Sequence, residues 1–90
     1  MAARYEVEWS RRALRSLERL PEGVATAAIE LAYGAIARHP RRVGKPLRFE
    51  FEGMWSARRG DYRIIYEVLD DRKVIVVAAI EHRSDAYRRR

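Results

Sequence analysis

Arg58, Arg59 and Arg63 crowd around one glycine in the stretch GMWSARRGDYRIIY, residues 53–66. A guanidinium stays protonated at any ordinary pH, so three of them near a turn repel one another unless an anion is shared between them. Two further cations, Lys45 and Arg48, precede the cluster. Phosphate suits such a group, because guanidinium grips it through paired hydrogen bonds. The bland alternative is a solvated hairpin tip, or ion pairs to Asp61 and Glu67. Arg63 fits that alternative least well, since Ile65 and Leu69 share its strand parity.

A second group follows near the C-terminus, in HRSDAY, residues 82–87. His82 is the one side chain there whose ordinary pKa, about 6.5, lies near neutrality, which suits it to carry a proton. Arg83 adds a fixed charge beside it. Tyr87 has a ring that can stack on a base and a hydroxyl that can donate. Taken singly, His82 reads equally as a residue over the core edge, and Tyr87 as packing for a terminal turn. Taken with the arginines, they suit RNA cleavage. That reaction needs a base for the ribose 2′-hydroxyl, cations for the charge on the phosphorane, and a proton for the leaving 5′-oxygen. It requires neither metal nor cofactor. Arginine is a good counter-charge and a poor base, which leaves proton transfer to His82 and Tyr87.

The rest of the composition narrows the setting. Ninety residues make one small domain, 1–90, and 48% hydrophobic with 36% charged residues is the balance of a folded soluble chain. Without cysteine there are no disulfides or thiolate metal sites, and two histidines are too few for a zinc centre. No apolar run approaches the ~20 residues of a membrane span, so a cytoplasmic protein is expected, with no membrane partner. The net charge of +6 is concentrated: residues 41–66 hold 7 basic against 3 acidic side chains. Counterion release then favours a polyanion, nucleic acid or ribosome, ahead of an acidic protein.

Positioning these residues requires a small number of elements. RYEVEW alternates strictly, Tyr5, Val7 and Trp9 against Arg4, Glu6 and Glu8, as a half-buried strand does. Ser10 suits the N-cap of a helix over 11–20, with Ala13, Leu14, Leu17 and Leu20 as its apolar stripe. Pro21 and Glu22 open a second helix that runs to about Arg38 and buries Val24, Ala28 and Leu31, with Ile29 and Ile36 alongside. The HP pair at 39–40 stops it. RRVGKPLRFEFEG reads as a basic connector with a short alternating run at its end. Strands at 54–58 and 61–69 flank the Arg59-Gly60 turn, and 74–80, apolar on both faces, reads as the central strand. The tail leaves the sheet, with a short helix from Ser84 as one option. The order β-α-α-β-β-β predicts an α+β fold, two N-terminal helices packed on a small, mainly antiparallel sheet.

At this point the chain resembles the RelE/ParE superfamily of toxins from bacterial type II toxin–antitoxin systems, over roughly Tyr5 to Tyr87. The resemblance rests on LPE between the helices, HPRRVGKPL, GMWSARRGDYRIIYEV and the terminal HRSDAY, in this order and spacing. It is closest to the RelE-like branch. It implies a ribosome-dependent endoribonuclease that cuts mRNA in the decoding site without metal, and a RelB-like antitoxin that covers the basic surface. Carried over by position, Arg63 would hold the scissile phosphate, and Arg58 and Arg59 would contact RNA. His82 and Arg83 match the family's HR pair, and Tyr87 its late tyrosine. Lys45 matches the lysine of GKPL, with a structural or rRNA-contacting role.

Three positions depart from the strongly RNA-cleaving members. Met54 and Ser56 stand where some carry lysines, and Glu81 stands where some carry an arginine. A fold shared with the ParE branch and less positive charge at the centre keep two other readings open. One is a ParE-like gyrase poison; the other is a fold that only binds antitoxin or RNA.

Overall fold

The computed structural model describes residues 4–82, the Glu50 side chain excepted. In chain order its elements are β1 (Glu6–Trp9), α1 (Arg11–Arg19), α2 (Glu22–Leu31), α3 (Pro40–Val43), β2 (Lys45–Pro46), β3 (Met54–Arg59), β4 (Tyr62–Leu69) and β5 (Val74–His82). The strands form one sheet in the order β1-β5-β4-β3-β2. Every neighbouring pair is antiparallel except β1 and β5. The helices lie on one face of this sheet, so the α+β reading holds.

Local chemistry explains where the first elements begin. Val7 and Trp9 of β1 stand opposite Ile75 and Val77 of β5 and turn toward the helices. Ser10 then ends the strand and caps α1, its hydroxyl accepting from the Ala13 N–H at 3.0 Å. The same hydroxyl donates to the Ala78 carbonyl at 2.7 Å. That carbonyl belongs to a bulge: β4 and β5 shift register between Ile65–Ala79 and Tyr66–Val77, leaving Ala78 as the extra residue. One serine therefore starts a helix and ties down the irregularity of an interior strand.

The core lies between the helices and Ile64, Tyr66, Ile75, Val77 and Ile80. Ala13 from α1 and Ala28 and Leu31 from α2 meet these residues. Beyond Leu31 the helical backbone continues through a π turn, Ala32–Ile36, and ends at Arg38. Two expected core positions are displaced. Leu14 and Ile29 are exposed, and Ser16 is buried in α1 instead, its hydroxyl donating to the Arg12 carbonyl at 3.1 Å. The face of α1 that meets the sheet follows 13, 16, 17 and 20, and Leu14 lies off that line.

The connector is more structured than expected. Pro40 ends one helix but opens another, occupying the first position of α3, where its missing N–H costs nothing. Two residues later the chain joins the sheet edge as β2. The alternating RFEFE is not a strand: Leu47 donates to the Met54 carbonyl, and Phe49–Phe51 then forms a 3-10 turn with Phe49 at a φ of 61°. Both phenylalanines are exposed, so there is no sheet face for the alternation to serve. The middle strand is also β4 rather than β5. The parallel addition of β1 makes β5 interior, one place from the centre.

Candidate nucleic-acid interface

Antiparallel partners directly opposite one another point to the same face, and neighbours along a strand alternate. The register therefore sorts the charged residues. Arg58 of β3 stands opposite Arg63 of β4, and Arg63 stands opposite Glu81 of β5. These three form a row across the sheet on the face away from the helices. One step along the same face lies the row Lys45, Ser56, Ile65 and Ala79. Lys45 thus shares a surface with Arg58 and Arg63, two residues away along β3.

The hairpin that builds this row is short. Arg59 and Tyr62 are the last pair, and Gly60 and Asp61 make the connection, with Gly60 at a φ of 59° that favours glycine. The tight turn puts Arg58 and Arg63 in one cross-strand pair, with like charges face to face. Glu81 relieves that repulsion. Arg63 Nε donates to Glu81 Oε1 at 2.9 Å, and Nη2 approaches the same oxygen at 2.8 Å. Both side chains are about one-third exposed, so solvent reaches the pair from outside.

His82 lies on the other face. It pairs with Tyr62, which pairs with Arg59, and all three turn toward the helix side at the end of the sheet. Tyr62 is buried, its hydroxyl has no hydrogen-bond partner among the described residues, and burial raises its pKa against the lowering effect of Arg59. The register thus brings Lys45, Arg58 and Arg63 together and separates them from Arg59 and His82. Arg48 lies beyond the strands, in the loop that follows β2. Arg83, Tyr87 and the segment from Ser84 fall outside the described residues. Glu81 is the functional candidate that sequence reasoning passed over, treated there only as a missing positive charge. Its pairing depends on the bulge at Ala78, which leaves no mark in the sequence.

Two structural contacts hold the Lys45 edge. The Tyr66 hydroxyl, buried among the core, donates to the Pro40 carbonyl at 2.6 Å, and burial pushes its pKa up to about 12. Gly44 lies against that hydroxyl with no room for a side chain. Outside it, Arg41 binds both carboxylate oxygens of Asp70 and sits 5.8 Å over the Trp55 ring, while Tyr5 donates to Asp70 at 2.7 Å. The connector is therefore anchored just ahead of Lys45.

The result is a small α+β fold with a basic row on the helix-free face of its sheet, a surface suited to an anion. Residues 7–87 match the family described as ParE toxin of type II toxin–antitoxin system. The chain is 45% identical over 85 residues to Toxin RelG of Mycobacterium tuberculosis, covering 94% of this chain and 98% of that one. It is 44% identical over 84 residues to Toxin RelE of the same organism, covering 93% and 87%. Its fold superposes with a TM-score of 0.89 on a chain of the toxin–antitoxin complex RelBE2 from M. tuberculosis, at 41% identity and 94% and 98% coverage. The chain belongs to this family of type II toxin–antitoxin toxins, on its RelE-like side. Among the described residues no helix is long and apolar enough to cross a membrane.

Proposed function

We propose that this toxin is a ribosome-dependent endoribonuclease that cleaves mRNA in the decoding site and so stops translation. The observation that carries the proposal is the cross-strand row of Arg58 and Arg63 with Lys45 beside it on the helix-free face. Arg63 sits in the middle strand of the sheet and presents a planar set of donors matched to a phosphate. As the 2′-oxygen attacks phosphorus, negative charge grows on the equatorial oxygens, and a preorganised guanidinium stabilises it without reorganising. Arg58, Lys45, Arg48 and Arg59 supply the surrounding field that draws in RNA and rRNA. His82, Arg83 and Tyr87 enter through the family resemblance, as substrate-contacting residues at the C-terminal end of β5 and beyond.

The ribosome supplies what the toxin lacks. Free mRNA is flexible, and ordering it opposes binding. A codon held in a defined bend arrives already oriented. A RelB-like antitoxin is the partner expected to cover the basic surface, in keeping with the similarity to the toxin of the RelBE2 complex.

The ParE description of the family keeps one other reading in view, a gyrase poison. Cleavage of message on purified ribosomes, set against gyrase-dependent DNA breaks, tests the two directly. New 5′-hydroxyl ends within codons support the ribonuclease. DNA breaks with intact message support the gyrase poison.

A further inference from the structure

The ribonuclease reading leaves a question: which group takes the proton from the 2′-hydroxyl? A phosphate held by Arg63 lies on the helix-free face, and His82 is directed to the opposite one by its pairing with Tyr62. Glu81 is already on the Arg63 face and already in contact with it.

The geometry of that contact is specific. A guanidinium has five N–H donors arranged on two edges. Glu81 occupies the side edge only, with its Oε1 taking both Nε and Nη2 of Arg63. The end edge, formed by Nη1 and the outer hydrogen of Nη2, holds no partner among the described residues. A phosphate can therefore bind end-on while the carboxylate stays in place. Glu81 Oε2 accepts nothing from the described residues and is left available on the same face of the sheet.

We infer that Glu81 is the proton acceptor of the cleavage reaction, oriented by the same arginine that holds the scissile phosphate. As the O2′–P bond forms, the 2′-hydroxyl proton passes to Glu81 Oε2. The P–O5′ bond breaks, its electron pair leaves on the 5′-oxygen, and that oxygen takes a proton from water. The products are a 2′,3′-cyclic phosphate and a 5′-hydroxyl, and Glu81 returns its proton to solvent. Arg63 and, one strand farther, Arg58 are the charged groups facing Glu81 from the neighbouring strands. Asp61 precedes Arg63 by two residues in the turn, and β1 pairs only as far as Val77 and adds none. The departure from arginine at position 81 is then a change of chemistry rather than a loss of it.

The test is single-turnover cleavage of mRNA on programmed ribosomes near neutral pH. Glu81→Gln keeps the oxygen that accepts from Arg63 Nε and loses the ability to take a proton. It is expected to bind ribosomes within about twofold of wild type and to cleave at least ~100-fold more slowly. Glu81→Ala is expected to regain part of its rate with added formate, which separates a lost base from a damaged fold. A Glu81→Gln protein that cleaves within about tenfold of wild type overturns the assignment. So does a Glu81→Ala protein faster than wild type, since the carboxylate would then only be masking Arg63. Ribosome-bound wild type that cuts no message fails at an earlier step and overturns the ribonuclease reading with it.

Discussion

The Tyr66 hydroxyl occupies the space that a side chain on Gly44 would need. Tyr66 is in the middle strand, Gly44 at the sheet edge just before Lys45, and the hydroxyl between them donates to the Pro40 carbonyl at 2.6 Å. Gly44 needs no special φ here; it needs room. The backbone oxygen of Ser56, 3.2 Å from where a Cβ would stand, closes the other side. Gly44→Ala is expected to destabilise by roughly 1–3 kcal/mol, since the core must shift to admit it. Tyr66→Phe, which leaves the Pro40 carbonyl without its donor, is expected to cost about 1 kcal/mol. Urea unfolding of both variants, each read as a change in midpoint at constant slope, checks the order.

Ser10 holds two structures at once, the N-terminus of α1 and the bulge carbonyl of Ala78. Ser10→Ala is expected to cost about 1–2 kcal/mol, toward the upper end for a cap because both contacts go together. Ser10→Asn, able to cap, is expected to recover part of the loss. Thermal melts of the two variants provide the comparison, with a shift of roughly 4–8 °C per kcal/mol in a domain of this size.

The ion pair of Arg41 and Asp70 gives a pH signature. The Arg41 hydrogen bond, and after it the Tyr5 hydroxyl, hold the Asp70 carboxyl at about 2 instead of 3.8. The folded-state pKa is depressed, so the contribution is complete above the unfolded value and disappears as pH falls through about 2. The melting temperature of wild type should exceed that of Asp70→Asn by a constant amount near neutrality, with the gap closing between about pH 4 and 2. The side chains are 47% and 56% exposed, so the gap should be small and should shrink further in salt.

Much of this was legible beforehand. Tyr62, Ile64, Tyr66 and Val68 share a face because alternation in β4 is unbroken; the extra residue of the bulge is in β5. The hairpin was readable from its glycine, but its connection is Gly60-Asp61 rather than Arg59-Gly60, and that one-residue difference is what sets Arg58 opposite Arg63. The parallel pairing of β1 with β5 was not readable, since partners 68 residues apart carry no local signature. Nor was the row of Arg63 with Glu81, which needs both the Asp70–Lys73 turn and the bulge to be counted correctly. The alternation of RFEFE, read as part of a connector, makes no strand for a related reason: period two marks a strand only when a sheet edge is there to receive it.

Binding to ribosomes should be strongly salt-dependent if the basic face meets phosphates. Lys45→Ala and Arg58→Ala are each expected to weaken binding and to reduce the slope of log K against log salt by somewhat under one unit per lost contact. Titrations at several ionic strengths measure it. A slope unmoved by both substitutions would place the ribosome contact on another surface.

The central claim is that Arg63 holds the phosphate at which mRNA is cut. Its most direct test maps mRNA 5′ ends within minutes of induction, with the antitoxin withheld, in strains carrying wild type and Arg63→Ala. The account predicts new ends at fixed positions within translated codons for wild type, and a loss of at least ~100-fold in their yield for a folded Arg63→Ala protein. Equal cleavage by the folded variant, or message left intact by wild type, would contradict it.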